Sequence, residues 1–151
     1  AELEKAIAEA AKFDSKILCE EYIDGYEVEC AVLGNEDTRA SVVGQITPSN
    51  EFYDYSAKYI DNASGLTIPA NIPEETAEKI REYAVTVFKA LGCRGMSRVD
   101  FFVLRGSGEI KFNEINTLPG FTSISMYPKL WEKSGIPYSE LIDKLIEYAE
   151  K

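Results

Sequence analysis

The stretch Gly95-Met96-Ser97-Arg98-Val99-Asp100-Phe101-Phe102-Val103-Leu104, then Gly106-Ser107-Gly108, then Glu109-Ile110-Lys111-Phe112-Asn113-Glu114-Ile115 decides the fold. β-Branched and aromatic residues fill both flanks and a glycine-rich turn separates them, so the segment reads as an antiparallel hairpin. With the turn centred on Ser107, Asp100 lies directly opposite Glu114, and Arg98 opposite Asn116. Side chains alternate between faces, so all four point the same way, and Phe102 and Phe112 continue that face toward the turn. Two opposed carboxylates repel unless something sits between them, and a divalent cation meets that need. Asp, Glu and Asn offer only oxygen ligands, which suits Mg²⁺ or Mn²⁺ and argues against zinc. Arg98 beside them suits phosphate oxygens. The same residues also read as a solvated acidic face that Arg98 neutralises. A loop one residue shorter would turn one strand's side chains to the other face.

Outward from the hairpin, Pro73 to Leu91 is the clearest helix. Ala77, Ile80, Ala84, Val87, Phe88 and Leu91 form one stripe, Pro73 suits the first turn, and Gly92 suits the C-terminal cap. Leu3, Ile7, Ala10 and Ala11 keep helical spacing up to Asp14-Ser15. Ile17 to Ile23, Glu27 to Leu33 and Thr38 to Ile46 read as strands, with turns at Asp24-Gly25 and Gly34 to Asp37, giving an antiparallel meander. Thr47 to Pro69 reads as a long loop, a feature that in a compact domain is usually functional or disordered. Helices are expected over Ser125 to Lys133 and Ser139 to Glu150, with Ser139 as the N-cap of the second. The predicted class is α+β, an antiparallel sheet with flanking helices.

Composition narrows the function classes. The 151 residues are enough for one sizeable core, and the net charge of −10 disfavours generic nucleic-acid binding. No run approaches the roughly 18 apolar residues of a membrane span, and residues 1–13 lack a signal peptide's apolar block. Three widely spaced cysteines (Cys19, Cys30, Cys93) form neither a zinc pattern nor a disulfide framework, so a reducing cytoplasm is the expected setting. Histidine is absent, which leaves chemistry within this chain to carboxylates, Lys, Arg and backbone amides.

Arg98-Val99-Asp100, with Asn113-Glu114-Ile115-Asn116-Thr117-Leu118-Pro119-Gly120-Phe121-Thr122-Ser123, resembles the signature of D-alanine–D-alanine ligases in the ATP-grasp superfamily. Leu91-Gly92-Cys93-Arg94-Gly95 and Phe52-Tyr53-Asp54-Tyr55-Ser56-Ala57-Lys58-Tyr59 extend the resemblance, which runs from about Ile17 to the C-terminus. It implies an enzyme that phosphorylates one D-alanine with ATP and joins it to a second, making D-alanyl-D-alanine for peptidoglycan. Asp100, Glu114 and Asn116 would hold two Mg²⁺ (or Mn²⁺) ions on the nucleotide phosphates. Arg98 would stabilise the transferring phosphoryl group, and the Gly120 amide the tetrahedral oxyanion. Ser125 and the Met126 amide would hold the second D-alanine's carboxylate, at a helix start that favours anions.

The resemblance further assigns Glu20, Tyr22 and Ile23 to the adenine, Glu27 to the ribose hydroxyls and Phe102 to the nucleotide site. Lys58 and Tyr59 would belong to a lid over the phosphates. Without the resemblance, Ser125 reads as a helix cap, Glu20 as a charged strand end, Tyr22 and Ile23 as core, and the loop tyrosines as local packing. Tyr59 and Met126 favour a D-alanine acceptor over D-serine or D-lactate. The chain is expected to be the C-terminal part of an ATP-grasp domain, without the N-terminal domain or the first half of that domain. The full-length protein would be cytoplasmic and homodimeric, with no nucleic-acid or membrane partner. Two rivals remain: another ATP-grasp carboxylate–amine ligase, and an inactive nucleotide- or metal-binding module.

Overall fold

Alternation of apolar residues makes the central strands two-faced, and the fold follows from covering both faces. The computed structural model describes residues 2–47 and 65–150. In chain order these form α1 (Glu2–Ala10), β1 (Gly25–Gly34), β2 (Arg39–Thr47), β3 (Gly65–Thr67), α2 (Glu74–Ala90), β4 (Gly95–Leu104), β5 (Ile110–Asn116), α3 (Met126–Lys133) and α4 (Tyr138–Ala149). The strands make an antiparallel sheet in the order β3-β2-β1-β4-β5. The α+β expectation therefore holds.

Val28, Cys30 and Val32 of β1, Val43 of β2 and Val99, Phe101 and Val103 of β4 pack on one face against Ile80, Ala84 and Phe88 of α2. On the other face, Ala31, Leu33 and Ile46 meet Met126, Tyr127, Leu130 and Trp131 of α3 and Leu141 of α4. The Tyr127 hydroxyl donates to the Val32 carbonyl at 3.0 Å, giving a buried polar atom the partner it needs. Burial pushes the Tyr127 phenol pKa upward, against a smaller lowering by Trp131. Among the described residues, no helix is long and apolar enough to cross a membrane.

Several expectations need correction. Ile17 to Ile23 is not a strand: the edge of β1 where it would pair is filled by β4, from Gly25 opposite Leu104 to Gly34 opposite Gly95. The exposed segment instead begins with a side-chain turn, in which Asp14 Oδ1 accepts from the Lys16 amide at 2.8 Å. The meander is thus a β1–β2 hairpin with β4 on its far side. Of the expected 47–69 loop, residues 48–64, with Lys58 and Tyr59, lie outside the described residues, and its end contributes β3, paired with β2. Leu91 leaves the stripe, being 60% exposed at the C-cap of α2, and Gly92 follows with φ +65°. Ser139 is not an N-cap: α4 starts from Pro137, whose carbonyl accepts from the Leu141 amide at 2.9 Å.

The most consequential correction lies in the hairpin. Leu104 and Glu109 close the turn, which puts Phe101 opposite Phe112, Phe102 opposite Lys111 and Val103 opposite Ile110. The register then shifts, so Asp100 faces Glu114 and Arg98 faces Asn116. Asn113 is the extra residue, a β-bulge that reverses the parity of β5. Phe112 therefore does not share a face with Phe102; its ring meets Phe101 edge-on, with centroids 6.0 Å apart.

Candidate functional site

Three strands carry the polar row. Glu29 on β1 lies opposite Asp100 on β4, which lies opposite Glu114 on β5. The next row holds Ala31, Arg98 and Asn116; the row on the other side holds Glu27, Phe102 and Lys111. Glu29 and Asp100 are only 1% and 2% exposed, whereas Glu114 reaches solvent. Burying carboxylates is unfavourable unless they are paired, and Arg98 is the pairing group. Its Nε donates to Asp100 Oδ1 at 2.8 Å and its Nη2 to Asp100 Oδ2 at 2.7 Å, a two-pronged charge-assisted contact. Nε also lies 3.0 Å from Glu29 Oε2. That nitrogen has one proton and gives it to Asp100, so its approach to Glu29 is an ion pair by proximity.

Burial alone would lower the Arg98 pKa. The hydrogen bonds that Arg98 donates to Asp100 and the charges of Glu29, Asp100 and Glu114 outweigh burial and raise it above the ordinary arginine range. The guanidinium is thus a permanent cation, and three formally anionic carboxyl groups face it. An excess of negative charge with oxygen donors fits a hard divalent cation. Among the described residues, however, no three acidic, cysteine or histidine side chains are arranged as a ready coordination shell. Asp100 is clasped by Arg98, and Asn116 Oδ1 accepts from the Leu118 amide at 3.1 Å. The three expected metal ligands share one face, and the side-chain oxygens of Asp100 and Asn116 are engaged with protein partners.

The loop after β5 brings together the other expected substrate residues. Ser125 is the N-cap of α3 and Met126 its first residue, where backbone amides have no intrahelical partner. Ser125 Oγ makes no capping bond. It accepts from the Thr122 amide at 3.0 Å and lies 2.9 Å from Thr122 Oγ1. A Cβ on Gly120 would come within 3.0 Å of Ser125 Oγ, so the bare backbone permits this close approach. The Met126 side chain is buried in the core beneath, leaving its backbone as the polar contribution.

Glu20 and Tyr22 are exposed and Ile23 half-buried in the segment before β1. Asp24 ends that segment, bonded to Arg105 through both backbone and side chain. Glu109, and to a smaller degree Glu21, raise the Lys111 pKa. The expected ribose residue Glu27, together with Phe102 and the metal residues, thus occupies successive rows along one face. Glu29 was missed by sequence reasoning. Its signal was present: a glutamate between Val28 and Cys30, on the same strand face as Glu27. A separate cleft of about 340 Å³, lined by Ser123, Pro128, Lys129, Glu132 and Tyr138, contains none of the expected site residues.

The family described as D-ala D-ala ligase C-terminus matches residues 1–147. A D-alanine–D-alanine ligase from Acetivibrio thermocellus is 64% identical over 148 residues, covering 98% of this chain and 39% of that protein. The VanG D-Ala:D-Ser ligase from Enterococcus faecalis superposes with a TM-score of 0.85 at 47% identity, over 97% of this chain and 43% of that one. A D-alanine–D-alanine ligase from Bacillus anthracis complexed with ATP superposes with a TM-score of 0.79 at 33% identity, over 99% of this chain and 47% of that one. The chain spans about 40% of the length of the curated relatives it matches.

Proposed function

Because this chain belongs to the D-ala D-ala ligase C-terminus family, we propose that it is the nucleotide- and acceptor-facing portion of an ATP-dependent, ADP-forming D-alanine–D-alanine ligase. The observation that carries the reading is the Glu29–Asp100–Glu114 row, its first two members buried and its third open to solvent, with Arg98 clasping Asp100. In the proposed reaction, a carboxylate oxygen of the first D-alanine attacks the γ-phosphorus of ATP, and the bond to the β-phosphate oxygen breaks to release ADP. The amine of the second D-alanine, having lost a proton, then attacks the acyl carbon, and phosphate departs.

Asp100, Glu114 and Asn116 would hold the Mg²⁺ or Mn²⁺ ions, two by family resemblance, whose chemistry is to neutralise charge on the phosphates. Arg98, kept cationic by its carboxylate neighbours, supplies a positive charge beside the transferring group. The Gly120 amide serves the oxyanion, while Ser125 Oγ and the Met126 amide take the acceptor's carboxylate at the positive end of α3. Glu20, Tyr22, Ile23, Glu27 and Phe102 form the adenosine side, and Lys58 and Tyr59 the lid. We place the full-length ligase in the cytoplasm, where ATP is supplied, as a homodimer.

Likeness to the D-Ala:D-Ser ligase keeps D-serine as a second acceptor reading, against which Tyr59 and Met126 favour D-alanine. Release of ADP by the intact ligase, measured with D-alanine alone and with D-serine added, tests both. The account expects D-alanine alone to sustain dipeptide formation. ADP release that ignores D-alanine would overturn it.

A further inference from the structure

We propose that Glu29 is a positioning residue that frees Asp100 for a divalent cation by sharing the charge of Arg98. The inference rests on the ligase reading above and adds a residue to it. Glu29 is 1% exposed in the middle of β1, opposite Asp100 on one side and Gly44 on the other. A Cβ on Gly44 would stand 2.9 Å from both Leu130 Cδ2 and Met126 Sδ, so α3 packs closely against β2 beside Glu29. A carboxylate in such a place is unfavourable unless compensated, and Arg98 Nε lies 3.0 Å from it.

The guanidinium thus has two buried carboxylates within reach, one of which faces Glu114. If Asp100 were its sole counter-charge, turning Asp100 toward a cation would leave a buried guanidinium uncompensated. Arg98 would then compete with the cation for the same oxygens. With Glu29 present, Arg98 keeps an anionic neighbour while Asp100 is drawn away. Glu29 itself need not touch the cation, the nucleotide or the amino acid.

The alternative is that Glu29 attracts the cation directly by its charge, and a double-mutant cycle separates the two. Mn²⁺ binding to the intact ligase, with ADP present, is read from the electron paramagnetic resonance signal of free Mn²⁺. The proteins are wild type, Glu29→Gln, Arg98→Gln and the double variant. We expect Glu29→Gln to weaken Mn²⁺ about 10-fold, as loss of a ligand's supporting partner does. In the Arg98→Gln background the same change should alter affinity by less than about twofold, within the error of independent sites. Glu29→Asp, which retains the charge, should bind Mn²⁺ more tightly than Glu29→Gln, and serves as the comparison if the Gln variant folds poorly. Wild-type affinity in Glu29→Gln, or an equal loss in both backgrounds, overturns the proposal. Absence of nucleotide-dependent Mn²⁺ binding by wild type overturns the ligase reading and the proposal together.

Discussion

Asp100 and Glu114 face each other across β4 and β5 because Asn113, one residue before Glu114, bulges out of the register that the turn sets. Continued without the bulge, the pairing of Phe101 with Phe112 would bring Asn113 opposite Asp100 and send Glu114 to the α2 face. The predicted outcome of deleting Asn113 is therefore specific. The hairpin should persist, since its turn is untouched, and Glu114, now following Phe112 directly, should still face Asp100, so metal-dependent nucleotide binding should stay within about 10-fold of wild type, short of the loss of a metal-site group. Circular dichroism and calorimetry on the intact ligase check both halves.

Two glycines should respond differently to alanine. Gly44→Ala drives a methyl into Leu130 and Met126 and should destabilise by about 1–3 kcal/mol, the usual result of overpacking. Gly120 is exposed, and its alanine variant should unfold within about 0.5 kcal/mol of wild type. Its new Cβ presses on Ser125 Oγ, so turnover and acceptor KM should suffer instead. Denaturant midpoints and acceptor kinetics, measured side by side, separate the two effects.

Alkaline stability should depend on Cys30. Burial raises its pKa from 9.0 to about 12, with smaller opposing contributions from Ser41 and Arg81. The unfolded chain therefore releases this proton first as pH rises. The contribution is complete below pH 9 and is lost progressively up to about pH 12, with a limiting slope of about 1.4 kcal/mol per pH unit. Cys30→Ala should remove that slope while lowering stability at neutral pH. Urea midpoints at intervals from pH 8 to roughly 10, taken as the difference between the two proteins, measure it.

The 151-residue chain alone should release no phosphate in response to D-alanine, since it spans about 40% of its relatives' length. Stoichiometric turnover by the purified chain would contradict this.

Much of the site was legible because strand alternation is a strict code: Arg98, Asp100, Glu114 and Asn116 share a face, as their spacing implies. The correct pairing nevertheless came from two offsetting errors. The turn is not centred on Ser107, and the bulge at Asn113 restores what that error would have cost. Phe112, on the turn side of the bulge, exposes the mistake. Ile17 to Ile23 has good strand composition but no vacant edge on β1, and pairing between distant segments is not written in either segment alone. Glu29 escaped notice for a related reason. Its sequence neighbours resemble core, and its significance comes from Arg98, on a strand far along the chain.

The central claim is that the opposed Asp100 and Glu114 serve a metal-bound nucleotide. Calorimetry of a non-hydrolysable ATP analogue, with and without Mg²⁺, on the intact ligase and its Glu114→Gln variant tests it most directly. The account predicts that Mg²⁺ tightens binding to wild type and that the variant loses most of this gain, because an amide oxygen is a weaker, uncharged ligand. Equal Mg²⁺-dependent binding by both proteins would contradict it.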